Sequence, residues 1–507
     1  MSIKKKILAV ILCALTAGSV MTMTSCGRDE EESVGISAEE NVEIMNYTAP
    51  KNGDKVIEMT FKDYGTVKFR LFPEYAKKGV ENFTKLAESG YYDGLTFHRI
   101  IQDFMIQGGD PLGTGTGGDS TWGGEFDGGV NGHLVHVPGA VAYANSGSTA
   151  TNRSQFYIVT GSPAMTDAEL DSMTSYTGIE LSENQRNIYK EVGGTPSLDG
   201  NYTVFGQVFD GLDVIFTIQS TATNANDAPL NKVIVESVKV TEYNGEELKW
   251  RISDYDWQPA APVNYTEPQS GEKIVSMKIK DYGTVKFKLF PEYLPDAAEN
   301  FFQLAESGYY DGLTFHRVIN DFMIQGGDPL GTGVGGESAW GGEFDGGTYG
   351  SLIHVAGALC YANSGSTATD GSQFYIVTGM EIDDTVFANA AGYSESKKET
   401  YLKAGHGYPY LDGNYTVFGQ VIDGLDVVFR IQKTETDDSD KPLNDVIIES
   451  VTVEEYDGSP VKWFTSDYDM TEPATEAPTE DATEDVTDAE TTEGETEDTD
   501  IAPDSAQ

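Results

Sequence analysis

Cysteine is almost missing from this chain: three residues in 507, at Cys13, Cys26 and Cys360. The first two lie within or at the edge of an N-terminal export-like segment, so only Cys360 belongs to a folded region and no intradomain disulfide can form. Positive charge is scarce as well, with 33 Lys and Arg against 82 Asp and Glu and a formal net charge of −49. A surface of that sign repels nucleic acid and anionic lipid headgroups, which excludes nucleic-acid partners. Histidine is limited to six residues. The N-terminal apolar run, Ile7 to about Val20, is too short for a comfortable membrane span.

What is present suits folded domains. A hydrophobic fraction of 39% with 11% aromatics can fill cores, and 507 residues exceed one core, so two or three domains are expected. The last stretch, Asp469 to Gln507, holds 15 acidic residues and no Lys or Arg, which leaves −34 for the rest. Rich in Thr, Glu, Asp, Pro and Ala, residues 470–507 cannot bury apolar area and are expected to form a disordered, solvating tail rather than calcium loops.

At the other end, Lys4-Lys5-Lys6 precede the apolar run and small polar residues follow it, the pattern of an export signal over residues 1–25. Met23-Thr24-Ser25-Cys26-Gly27 resembles a bacterial lipobox, which makes Cys26 the expected lipidated first residue; Met23 and Thr24 depart from the usual pattern, and an ordinary secretory signal is the alternative. The expected location is the outer face of the bacterial cytoplasmic membrane, or a secreted or periplasmic site under that alternative. Residues 26–45 read as a flexible acidic tether.

Internal similarity sets the architecture. Lys62-Asp63-Tyr64-Gly65-Thr66-Val67-Lys68-Phe69 recurs 218 residues on as Lys280 to Phe287, and the offset falls to 213 at Leu198 and Leu411. Two domains are expected, 46–257 and 272–469, joined by a linker at 258–271 that holds the stiff Gln258-Pro259-Ala260-Ala261-Pro262. Within a copy, Ile57, Met59 and Phe61 alternate with polar residues, as do Val67, Phe69 and Leu71, around a turn at Asp63-Tyr64-Gly65: a hairpin with one buried face. Val80, Phe83, Leu86 and Ala87 then follow helical spacing, with Gly90 to end the helix. Later segments (Ala140 to Ala144, Gln155 to Val159, Thr203 to Val208, Val233 to Tyr243) are short and β-rich, so each domain reads as mainly β with few helices.

One stretch stands apart, Phe97-His98-Arg99-Ile100-Ile101 through Gln107-Gly108-Gly109-Asp110-Pro111, repeated as Phe315-His316-Arg317 through Asp328-Pro329. Downstream come Ala144-Asn145-Ser146-Gly147, Ser154-Gln155-Phe156-Tyr157 and Leu198-Asp199-Gly200-Asn201-Tyr202, again in both copies. In these blocks each copy resembles the cyclophilins, peptidyl-prolyl cis/trans isomerases. The resemblance implies a closed antiparallel barrel of eight strands with two capping helices. It implies catalytic roles for Arg99 and Arg317. It implies that Phe104, Met105, Gln107, Ala144, Asn145, Gln155, Tyr157, Leu198 and Tyr202 line one groove. Phe322, Met323, Gln325, Ala362, Asn363, Gln373, Tyr375, Leu411 and Tyr415 would line the other.

Rotating an Xaa-Pro amide breaks no covalent bond and needs no nucleophile, cofactor or metal; its barrier of about 18–20 kcal/mol is amide resonance. Arg99, charged throughout, would favour the twisted amide while an apolar cup holds the prolyl ring. Other readings of single residues are weaker. His98 and His316 lack a second ligand at metal spacing and read as hydrogen-bonded structural residues. The Gly113-to-Gly118 run lacks the Gly-Lys-Ser/Thr ending of a phosphate loop and reads as a flexible rim loop, and Cys360, at the place of Ala142, as a small core residue.

Two departures from the family pattern bear on activity. Tyr202 and Tyr415 replace the usual His, and Ser197 and Tyr410 replace the Trp of cyclosporin-sensitive members, which implies weak cyclosporin binding. An insertion precedes Pro196, with capping boxes expected at Ser182 to Gln185 and Ser396 to Glu399. The expected function is a monomeric isomerase acting on Xaa-Pro segments of unfolded exported proteins, and the competing one a non-catalytic Pro-peptide binding module or chaperone at the cell surface.

Overall fold

The computed structural model describes residues 41–383, 385–387 and 393–470. The expected signal, Cys26, most of the tether, and the tail from residue 471 lie outside them.

Alternation builds the first hairpin. Ile57, Met59 and Phe61 on strand Lys55–Phe61, and Val67, Phe69 and Leu71 on strand Gly65–Leu71, are all buried, and Met59 pairs with Val67. Asp63 carries the turn at φ 67, a left-handed conformation that Asp tolerates and a branched residue does not.

The hairpin sits inside a nine-stranded antiparallel sheet. Its order is Thr96–Phe97, Val233–Glu242, Lys55–Phe61, Gly65–Leu71, Val204–Asp210, Ala140–Tyr143, Phe156–Val159, Met105–Gly108, Arg99–Ile101. The two end strands are consecutive in the chain, separated only by His98, so the sheet curls until both of its edges meet on one segment. The second copy forms an eight-stranded sheet that ends on Arg317–Ile319 and Ile448–Glu455, and a bridge from Thr314 to Ile447 marks the same seam. The mainly β, barrel-like architecture is therefore present twice, and the conspicuous arginine stands at the seam each time.

Helices Lys77–Glu88 and Leu212–Gln219 pack on the first sheet, and Pro295–Glu306 and Leu425–Ile431 on the second. Phe83 is central to the first barrel: its ring lies 4.8 Å from Tyr92, 5.2 Å from both Phe156 and Phe205, and 5.5 Å from Phe69. Truncating it to Ala would cost about 3–5 kcal/mol. Gly90, at φ 70, ends its helix as the sequence predicts.

The insertion of the first copy holds helices Asp167–Thr177 and Glu183–Val192, each opened by a full capping box, at Thr166 and Ser182 respectively. The first of these escaped the sequence reading. In the second copy the helix Glu395–Ala404 is capped by Ser394, which accepts from Lys397 N at 3.3 Å, and not by the expected Ser396, which lies inside the first turn. The reason is geometric: Ser394 already presents its oxygen to the N–H at the third helical position, as an N-cap must.

The two copies touch. Thr223 and Thr348 exchange both backbone hydrogen bonds, at 3.0 and 2.8 Å, and Ala225 N donates to Asp345 Oδ2 at 2.9 Å.

Candidate active site

Strand pairing lines up the candidate residues. Arg99 is opposite Gln107, Gln107 opposite Tyr157, and Tyr157 opposite Ala142, one row across four neighbouring strands. Paired residues in an antiparallel sheet project to the same face. The adjoining row of Ile100, Ile106, Ile158 and Val141 belongs to the interior core. Period-two alternation thus sends one row into the barrel and the Arg99 row to its outer surface. The second copy repeats it as Arg317, Gln325, Tyr375 and Cys360.

On that outer face Met105, Tyr157 and Ala142 join Phe72, Leu134, Val159 and Val204 in one apolar cluster, with Phe104, Ala144, Leu198 and Tyr202 packed against it. The 3-10 turn Pro196–Leu198 supplies Leu198, and the Tyr202 ring stands edge-on to Tyr157 with centroids 5.9 Å apart. In the second copy Phe322, Met323, Tyr375, Ala362, Leu411 and Tyr415 occupy the equivalent places, and Tyr415 meets Tyr375 at 6.0 Å.

Beside the cup runs a chain of amides. Gln107 Nε2 donates to Gln155 Oε1 at 2.9 Å, and Gln155 Nε2 to the Gly117 carbonyl at 2.8 Å; Gln325, Gln373 and Gly335 reproduce it at the same distances. The Ala144 N–H is spent on the Gln155 carbonyl at 3.0 Å, as Ala362 N–H is on Gln373. Asn145 is occupied too, its Nδ2 donating to the Asn201 carbonyl at 3.0 Å and its Oδ1 accepting from Gly147 N at 2.9 Å. Asn145 therefore shapes its loop, and Asn363 Oδ1 does the same by accepting from Gly365 N at 3.0 Å.

The Gly-rich rim loop is organised around a carboxylate. Asp110 accepts N–H bonds from Leu112, Thr114 and Gly115 at 2.8, 2.9 and 2.6 Å, and Asp328 does likewise. Burial pushes the Asp110 pKa up, but these donors outweigh it and hold the group below the ordinary carboxylate value. His98 and His316 differ from expectation: among the described residues neither ring nitrogen of either has a hydrogen-bond partner. Burial lowers both pKa values, so both rings are neutral at pH 7. Cys360 is fully buried on strand Ala358–Tyr361, and burial raises its thiol pKa well above the usual value, which removes it from nucleophilic chemistry.

Beneath the cup lies a network that the sequence reading missed. Tyr157 Oη is 3.0 Å from His136 Nε2, His136 Nδ1 is 2.7 Å from Asp199 Oδ1, and Tyr189 Oη donates to Asp199 Oδ2 at 2.7 Å. His354, Asp412, Tyr375 and Tyr401 repeat it. The available signal was recurrence, since every member has its counterpart in the second copy. Among the described residues no group of three or more His, Cys, Asp or Glu is placed to hold a metal ion.

The chain is similar in sequence to known proteins. The family profile described as "Cyclophilin type peptidyl-prolyl cis-trans isomerase/CLD" matches residues 56–240 and 274–453. A protein of Staphylococcus aureus (strain NCTC 8325 / PS 47) named "Putative peptidyl-prolyl cis-trans isomerase" is 48% identical over 191 residues, 37% of this chain and 95% of its own length. One of the same name from Staphylococcus haemolyticus (strain JCSC1435) is 44% identical over 200 residues, covering 38% of this chain and 99% of the relative. Among solved structures, a cyclophilin type peptidyl-prolyl cis-trans isomerase of Cryptosporidium parvum is 28% identical over 38% of this chain and 99% of its own, with a TM-score of 0.30.

Proposed function

The chain belongs to the cyclophilin-type peptidyl-prolyl cis-trans isomerase family, and from that premise we propose that both copies rotate Xaa-Pro bonds in exported proteins by placing an arginine beside an apolar prolyl cup. The single observation that carries this reading is the cross-strand row of Arg99, Gln107 and Tyr157, repeated as Arg317, Gln325 and Tyr375.

The prolyl ring enters the cup of Phe104, Met105, Tyr157, Leu198 and Tyr202, desolvated by rings and a thioether. The peptide runs past Gln107, Gln155 and the Ala144 carbonyl, and the Arg99 guanidinium donates toward the prolyl nitrogen. In the planar ground state that nitrogen's lone pair is delocalised, and in the twisted state it is localised and basic, so a fixed donor lowers the barrier selectively. Arginine suits the task because it stays protonated throughout. Two sites on one exported chain raise the effective concentration for Pro-rich clients. Anchoring through lipidated Cys26 would hold both sites above the membrane, and the lipobox-like Met23-to-Gly27 segment supports that placement.

The Tyr202 and Tyr415 hydroxyls, at the cup's rim, favour a second reading in which the grooves bind proline and do not turn it. Exchange NMR with a short Xaa-Pro peptide decides between them, using the chain from Gly27 at substoichiometric concentration. The isomerase reading expects cis and trans resonances to exchange well above the uncatalysed rate of once per tens to hundreds of seconds. Saturable binding without faster exchange supports the binding module.

A further inference from the structure

Strand Arg99–Ile101 is the last of its sheet, so among the described residues no strand lies beside its outer edge. Asp227 fills that place with two groups at once. Its carbonyl accepts the Ile100 N–H at 2.8 Å, and its Oδ2 accepts from Arg99 Nε at 3.1 Å and lies 3.1 Å from the Nη2 atom. In the second copy the Asp440 carbonyl accepts from Val318 N at 2.8 Å, and Asp440 Oδ2 lies 3.4 Å from Arg317 Nε.

Turn geometry alone does not require aspartate here. Both residues sit in the left-handed region, at φ 60 and 63, which Asn occupies as readily as Asp. The same loops show such an exchange at another position. Asn224 Oδ1 accepts from Asn226 N and Ala228 N, each at 3.0 Å, while in the second copy Asp437 Oδ1 accepts from Ser439 N and Lys441 N at 2.8 and 3.1 Å. Amide and carboxylate therefore build one turn equally well. Facing each arginine, however, both copies place a carboxylate.

We propose that Asp227 and Asp440 are positioning residues for isomerisation, each holding the guanidinium of its own copy in the rotamer that reaches the prolyl amide. The inference rests on the roles proposed above for Arg99 and Arg317. A free arginine samples many rotamers in solvent, and an ion pair made before substrate arrives removes that ordering from the reaction step. The first copy fixes its clasp further, because the loop that carries Asp227 is bridged to the second copy through Thr223 to Thr348 and Ala225 to Asp345. The arginine contacts are correspondingly shorter there, 3.1 Å against 3.4 Å.

The test uses the chain from Gly27 carrying Arg317→Ala, so that only the first site is read. Asp227→Asn keeps the turn and the volume and removes the charge. The expected result is a kcat about fivefold lower, the scale of a partly exposed ion pair, with KM within about twofold and an unchanged Tm. Added salt should lower the kcat of the Asp227 parent toward that of the variant and leave the variant's flat, a signature that loop structure alone would not produce. Asp227→Glu should recover part of the loss, and the mirror pair, Asp440→Asn on Arg99→Ala, should behave alike. If Asp227→Asn turns over at the parental rate while Arg99→Ala abolishes it, this proposal is wrong and the arginine reading survives. If Arg99→Ala also leaves the rate unchanged, the arginine reading itself fails.

Discussion

Tyr157 Oη lies 3.0 Å from His136 Nε2, which ties the floor of the apolar cup to a carboxyl group, Asp199, that is almost wholly buried. The link makes the cup's shape depend on the buried His136, Asp199 and Tyr189 beneath it. Tyr157→Phe removes one hydrogen bond and should cost about 1 kcal/mol in urea unfolding. His136→Ala takes the ring partner from Tyr157 Oη and one of the donors from Asp199, which keeps the backbone N–H and Tyr189, and opens a cavity, and should cost about 2–4 kcal/mol. Equal losses for the two variants would contradict the network.

A buried carboxyl distinguishes the copies. Asp370 stands where the first copy has Asn152; it has no exposed surface, and its Oδ2 accepts from Thr416 Oγ1 at 2.6 Å. Burial pushes its pKa up to about 7 despite the hydrogen bond from Thr416. The unfolded chain releases this proton near pH 4 and the folded chain only near 7. Ionisation therefore favours unfolding as pH rises between those values and adds nothing further above them. Asp370→Asn should remove this loss, on the order of a few kcal/mol, so the gap between variant and parent widens from pH 4 to 7 in calorimetry. A constant gap would refute the assignment.

The contact between the copies has its own signature. Among the described residues, the Thr223, Ala225 and Thr348 N–H groups find their hydrogen-bond partners on the other copy. Hydrogen exchange at these amides should be slow in the whole chain and approach the rate of free peptide when the copies are produced separately. Equal protection in both settings would mean that the bridge does not form.

Cys360 provides a fourth check. In the chain from Gly27 it is the single cysteine, fully buried with a raised thiol pKa. It should resist thiol reagents until the second copy unfolds. Cys360→Ala, the residue found at Ala142 in the first copy, should leave isomerisation intact. Rapid labelling of the native chain would contradict its placement.

Much of the site was legible because short-range patterns encode it. Alternation at Ile57 to Leu71, the helical spacing of Val80 to Ala87 and the doubled blocks around Arg99 and Arg317 each rest on neighbours in sequence. The seam at His98, by contrast, depends on one segment pairing with strands from both ends of the sheet, which no local window contains. Asp227 is 128 residues from Arg99, and His136 is 63 from Asp199. Such pairs carry no periodicity, and only the fold brings them together. The helix cap at Ser394 was misplaced by two residues because Ser394 and Ser396 offer the same hydroxyl, and backbone geometry chose between them.

The central claim, that one arginine in each barrel drives rotation of the prolyl bond, is tested most directly by exchange NMR on four chains from Gly27: parent, Arg99→Ala, Arg317→Ala and the double variant. Each single variant should keep the activity of its intact copy, and the double variant should fall at least about tenfold, a loss of about 1.4 kcal/mol of transition-state stabilisation, while still binding the peptide. A double variant that exchanges the peptide as fast as the parent would show that the chemistry lies elsewhere.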